Sequence, residues 1–105
     1  MSESVMIYVR VGTQEQAEQK LCNQISECKQ FAEDNDKRVA VVYNDVISAN
    51  RLGERFENIL DEMKTQGIDE LIIHHWSRIS RNVKSVDEID QMFREQGKFI
   101  ISIAD

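Results

Sequence analysis

Arg10, Gly12, Thr13 and Gln16 fall within one stretch, VMIYVRVGTQEQ at residues 5–16, where the pattern of a strand gives way to that of a helix. Val5, Ile7, Val9 and Val11 fill one parity, as a buried pleated surface prefers. Tyr8, Arg10 and Gly12 occupy the other parity and so share a face near the strand's end. An arginine in so apolar a run needs an anion or water. Thr13 and Gln16 have capping-box spacing, with Thr as N-cap and Gln at the third helical position. A glycine at such a turn, beside an arginine and a helix start, makes a physically sensible anion site, and phosphate is the first anion to test. The plainer reading is structural. Gly12 then serves a turn of positive φ or a close backbone approach, and Arg10 pairs with a carboxylate at the sheet edge. Arg78 and Arg81 raise the same choice. They are three residues apart directly after an apolar strand. On one helical turn both face the same way, and two such forks can grip a phosphodiester; the alternative is a solvated surface pair.

The elements that must position these residues follow from periodicity. The first strand leads into a long helix over 14–35, with Ala17, Leu21, Ile25, Cys28 and Ala32 as its buried stripe and Phe31 beside it. A valine-rich strand over 38–43 ends at Asn44-Asp45, and residues 46–53 read as a loop. Phe56, Ile59, Leu60 and Met63 mark a second helix that stops near Gly67. A third strand covers 69–75, a third helix 83–95 closed by Gly97, and a fourth strand 98–104. The order β-α-β-α-β-α-β predicts a parallel sheet with helices on its faces and right-handed crossovers. Ligands of such sheets bind outside the carboxyl ends of the strands. Those ends carry Arg10 to Thr13, Asn44-Asp45, Trp76 to Arg81 and Asp105, so Arg10, Arg78 and Arg81 converge on one edge with Ser77 and Ser80 nearby.

Composition narrows the classes. The chain has 105 residues, 41% hydrophobic and 30% charged, which suits one soluble globular domain with a modest core. No apolar run reaches membrane-spanning length, and the amino terminus lacks the pattern of a secretory signal. Cys22 and Cys28, six residues apart on one helix, point to different sides and have no metal spacing. They read as small apolar residues in a reducing cytoplasm. His74 and His75 adjoin on a strand and face opposite ways, which argues against a shared metal. Trp76 reads as an aromatic at the core's edge. The net charge of −6 argues against autonomous affinity for nucleic acid.

Taken together the motifs resemble those of the serine recombinases, the resolvase/invertase group. YVRVGTQEQ resembles the first family motif, Y-x-R-V-S-T-x-x-Q, and IDELIIHHWSRISRN the second, an apolar strand running into S-R-x-x-R-N. VVYNDVISANR resembles the Y-x-D-x-x-I-S-G segment, KLCNQ places Gln24 where the family commonly has a glutamine, and GKFIISIAD resembles the end of the catalytic core. The resemblance covers nearly the whole chain in order. It implies a resolvase-like α/β fold, a three-layer domain with a mostly parallel four- or five-stranded sheet flanked by helices. It implies site-specific DNA recombination, in which a serine hydroxyl attacks a phosphodiester and forms a phosphoserine link that is later reversed. No metal and no cofactor take part. DNA and further copies of the chain are the partners, as a dimer and, in the active family assembly, a tetramer. By motif, Arg10, Arg78 and Arg81 stabilise charge on the phosphoryl oxygens. Tyr8, Gln16, Gln24 and Asp45 support them, and Arg51 is a weaker candidate for the arginine before the second helix, with Arg55 also near.

One departure governs the chemistry. Gly12 stands where the motif has the nucleophilic serine, and glycine has no side chain with which to attack phosphorus. Thr13 points to the other face. An engineered substitution and a naturally inactive relative both account for the glycine; Arg10 and Thr13 hold the motif's register. Ser77 stands where many small resolvases have aspartate, and Ala49 replaces a usual glycine. The expectation is a catalytic core over residues 1–105, with the family's long helix and DNA-binding module absent, which also accounts for the acidic charge. The alternative is a non-catalytic assembly or protein-interaction module on the same fold. A phosphate-signalling receiver domain is disfavoured, because it needs clustered carboxylates where Gly12-Thr13 stand.

Overall fold

The computed structural model of the chain describes residues 3–11, 17–46, 52–76 and 83–103. In chain order these form β1 (Glu3–Val11), α1 (Ala17–Asp34), β2 (Lys37–Val46), α2 (Leu52–Gln66), β3 (Glu70–Ile73), α3 (Val83–Glu95) and β4 (Phe99–Ser102). The sheet is four-stranded, in the order β2-β1-β3-β4, with all neighbours parallel. This is the α/β architecture that the element order predicts.

Right-handed crossovers explain the layers. The step from β1 to β2 runs one way along the sheet, and the steps from β2 to β3 to β4 run the other way, so the first helix must lie on the opposite face from the next two. The core divides accordingly. Val5, Ile7, Val9 and Ile72 pack with Cys28 and Ala32 of α1. Met6, Tyr8, Leu71 and Ile73 pack with Phe56, Ile59, Leu60 and Met63 of α2 and with Ile89 and Phe93 of α3. Residues 5–9 of β1 are buried on both parities, as a central strand between two helical layers must be. Gly67 and Gly97 stop α2 and α3 in the left-handed region, at φ 67° and 74°. At each stop the next amide reaches back to the helix: Ile68 N–H donates to Met63 O at 2.9 Å and Lys98 N–H to Phe93 O at 2.9 Å.

Several boundaries differ from the pattern reading. β2 runs through Asn44 and Asp45 to Val46, because these polar residues continue the ladder with β1. Leu52 and Gly53 belong to α2, not to a loop. β3 and β4 are four residues each, shorter than their apolar runs. α3 matches its expected span.

A bulge sets the relation between β1 and β2. Val5 pairs with Val39 but Met6 with Val41, so Ala40 is an extra residue on β2. Because side chains alternate, the insertion moves every later residue of β2 to the other face. Val39 accordingly packs on the α1 side, whereas Val41 and Tyr43 pack on the side of α2 and α3.

Candidate functional site

The bulge brings Asp45 opposite Arg10, and Tyr43 opposite Tyr8. All four side chains therefore lie toward the α2 face, at the carboxyl ends of the two strands. α2 supplies the remaining partners. Its buried stripe anchors Phe56, which meets the Tyr8 ring edge-on at a centroid distance of 5.1 Å. Arg55, the preceding residue, reaches Asp45. Its Nε donates to Oδ2 at 2.6 Å and its Nη2 to Oδ1 at 3.3 Å. The guanidinium also lies 4.8 Å from the Tyr43 ring centroid. The Tyr8 hydroxyl donates to Asp45 Oδ2 at 3.0 Å. Asp45 thus receives a two-point fork and a phenol, while Arg10 stands across from it.

The electrostatics follow from this packing. Burial raises the Tyr8 pKa well above its ordinary value, and the charge of Asp45 and the hydrogen bond to it add to the rise; Arg55 and Arg10 pull the other way. Tyr8 is therefore a neutral donor and a prop for Asp45. Tyr43 is raised chiefly by burial and then by Glu62, with Arg55 opposing. Arg10, Arg55 and Asp45 thus bring charged side chains of both signs to this edge.

The α1 face of the same edge is organised by Gln24. It is buried, at 5% exposure, and its Nε2 donates to the Arg10 carbonyl at 3.4 Å. Gln24 Oε1 has no partner among the described residues. Of the site residues expected from sequence, Tyr8, Arg10, Gln24 and Asp45 come together at this edge. Gly12, Gln16, Arg51, Arg78 and Arg81 lie outside the described residues. Arg55 is the residue that sequence reasoning set aside. Its signal was the adjacent stripe residue Phe56, which places position 55 in the first turns of α2 over the β2 end. A groove of about 500 Å³ lined by Glu3, Arg38, Asp69 and Phe99 lies at the amino ends of the strands, the opposite edge. Among the described residues no group of His, Cys, Asp and Glu has metal-holding geometry, and no helix is long and apolar enough to cross a membrane.

The parallel sheet has its switch point at β1 and carries Arg10, Asp45 and Arg55 at its carboxyl edge, where ligands of open α/β sheets bind. The sequence matches the family "Resolvase, N terminal domain" over residues 5–105, so the chain belongs to that family, the catalytic domain of serine recombinases. The N-terminal catalytic domain of TP901-1 integrase superposes with a TM-score of 0.81 at 25% identity, covering 95% of this chain and 77% of that one. A resolvase family site-specific recombinase from Streptococcus pneumoniae gives a TM-score of 0.79 at 25% identity over 97% of this chain and 72% of its own. The catalytic domain of ISC1926 TnpA, an IS607-like serine recombinase, shares the fold, with a TM-score of 0.77 at 23% identity over 97% of this chain and 70% of that one. No curated protein sequence matches the chain.

Proposed function

We propose that residues 1–105 are the core of a site-specific recombinase that grips DNA phosphates at the carboxyl edge of its sheet and, with Gly12 at the nucleophile position, cannot cut them. The observation that supports this reading is the Tyr8–Asp45–Arg55 network beside Arg10, a charged assembly at the carboxyl ends of β1 and β2. Arg10, Arg78 and Arg81 bind the phosphodiester, with Arg51 as a further phosphate contact. Tyr8, Gln16, Gln24 and Asp45 orient them, and Arg55 holds Asp45. With a serine at position 12, the reaction asked of this edge is in-line attack of its hydroxyl on phosphorus, with the P–O bond to one deoxyribose breaking and that oxygen leaving as a free DNA end, while the arginines counter charge on the non-bridging oxygens. The chain works on cytoplasmic DNA as part of a homo-oligomer. The free thiols of Cys22 and Cys28 suit that reducing compartment.

The test is Gly12→Ser, fused to a sequence-specific DNA-binding domain and given duplexes carrying that domain's sites around a randomised centre. A protein–DNA adduct that survives denaturant is expected, with the 5′ or 3′ DNA end attached through the new serine, and it is abolished by adding Arg10→Ala. A folded, DNA-bound serine variant without adduct would contradict the reading and favour the assembly module, which uses the fold without the chemistry.

A further inference from the structure

β2 is the outermost strand of the sheet. Its 10 residues pair along one side with β1, and its other side meets no strand among the described residues. Such an edge offers a row of backbone donors and acceptors to any chain that can lie along it. Natural edges are guarded by lysine, by proline or by brevity. β4, the opposite edge, is 4 residues long. β2 is long, and residues 39–43 read VAVVY, with neither charge nor proline. Lys37, the lysine placed to guard it, is drawn inward along the sheet, to Glu3 at 3.2 Å and to Glu70.

The charges on β2 choose the occupant. Lys37 and Arg38 open the strand, and Asp45 stands near its end. An antiparallel copy sets the basic end of each strand against the acidic end of the other. The bulge decides whether the side chains can meet. In a regular strand Arg38 and Asp45 would point to opposite faces. The extra residue at Ala40 puts both on the face toward α2. Val41 and Tyr43 share that face, whereas Val39 and Val42 face α1. A two-fold axis through Val42, normal to the sheet, keeps each face on its own side. It sets Val42 against its own copy and Val41 against Tyr43. Past the extra residue, it sets Val39 against Asn44 and Arg38 against Asp45, and every pair lies on one face. Arg38 is exposed and has no hydrogen bond or ion pair among the described residues. Asp45 has room for it. Oδ2 accepts from Tyr8 and from Arg55 Nε, whereas Oδ1 accepts only from Arg55 Nη2, at 3.3 Å. An ionised carboxylate offers about four acceptor sites.

We propose that β2 is a homodimerisation edge: two copies of the chain join β2 to β2, antiparallel about a two-fold axis at Val42, with Arg38 of each on Asp45 of the other. The inference rests on the homo-oligomer of the function proposed above for its purpose, and on β2 alone for its geometry. The pairing joins two sheets into one and turns the carboxyl edge of each copy away from that of the other. One strand per copy is a small contact, so the dimer belongs to the weak, transient class.

The experiment is sedimentation velocity on the whole chain, at concentrations up to about 1 mM. The unsubstituted protein shifts from monomer to dimer as its concentration rises. Arg38→Glu sets a carboxylate against Asp45 and weakens the dimer about tenfold, because two cross-strand pairs are reversed at once. Arg38 is exposed, so circular dichroism and the thermal midpoint stay as they were. Cross-linking then locates the contact. Cys22 is the exposed native thiol and is replaced first, by Cys22→Ser. In that background Val42→Cys sets two thiols across the axis, within reach of a disulfide. The thiols of Asn44→Cys stand apart, each opposite residue 39 of the other copy. Mild oxidation traps the first variant as a covalent dimer several times faster than the second. A monomer at every concentration, a dimer that Arg38→Glu leaves unmoved, or trapping at residue 42 no faster than at residue 44 would each overturn the edge contact. The adduct test of Gly12→Ser decides the phosphate reading separately, so failure of either leaves the other standing.

Discussion

Tyr8 has its ring against Phe56 and its hydroxyl on Asp45, so the proton it carries is part of the folded state. Burial first, and then Asp45, raise its pKa above the ordinary value of 10.0. The folded chain therefore holds this proton more tightly than the unfolded chain does. The stability it contributes is complete below the unfolded pKa and is lost as the pH climbs through and beyond it. Thermal unfolding measured from about pH 8 to 11 should show the midpoint falling above roughly pH 10. Tyr8→Phe should lower stability at neutral pH by about 1–2 kcal/mol, the loss of one hydrogen bond to a charged acceptor. It should also flatten the alkaline fall. Some slope remains from Tyr43, whose pKa is raised in the same direction. An alkaline slope identical in the two proteins would show that Tyr8 is not the group responsible.

At the scale of elements, Gly53 separates a conformational requirement from an accident of sequence. It resembles a helix breaker and suggested a loop, yet it lies in α2, and a Cβ added there would meet nothing within 4 Å. Gly53→Ala should therefore stabilise the chain by a few tenths to about 1 kcal/mol, read from chemical denaturation. The same substitution at Gly97, where φ is 74°, should destabilise it. The order of elements was legible, because stripes such as Phe56-Ile59-Leu60-Met63 and the alternation of β1 are dictated by burial; the strand order, and with it the face each helix covers, was not. Nor was the pairing of Asp45. It depends on the extra residue at Ala40, and RVAVVY carries no mark of a bulge, since valine suits either face. Without that bulge Asn44 would stand opposite Arg10, and Asp45 would face α1. Arg55 was obscured for the same reason, because its partner was not known to lie beneath α2. The polar pair Asn44-Asp45 looked like the end of a strand, but it is the part of the strand that leaves the core for the site.

For the molecule as a whole, charge sets what the isolated chain can do. Phosphate neutralisation dominates affinity for duplex DNA, and a net charge of −6 opposes it. In a mobility-shift assay at physiological salt the chain alone should bind duplex DNA no better than micromolar, and more weakly still as salt rises. Sub-micromolar, sequence-specific binding would reveal a reading surface outside the carboxyl edge. The phosphate cradle proposed at the carboxyl edge is open to direct measurement. Arginine Nε–Hε signals, followed by heteronuclear NMR during titration with inorganic phosphate, report each guanidinium separately. The account predicts that Arg10, Arg78 and Arg81 shift together along one saturation curve. Arg38, at the amino ends of the strands, and Arg94, on the exposed flank of α3, should not move. Saturable shifts at Arg38 or Arg94 in place of Arg10, or three unrelated curves for Arg10, Arg78 and Arg81, would contradict a single phosphate cradle at the carboxyl ends of the strands.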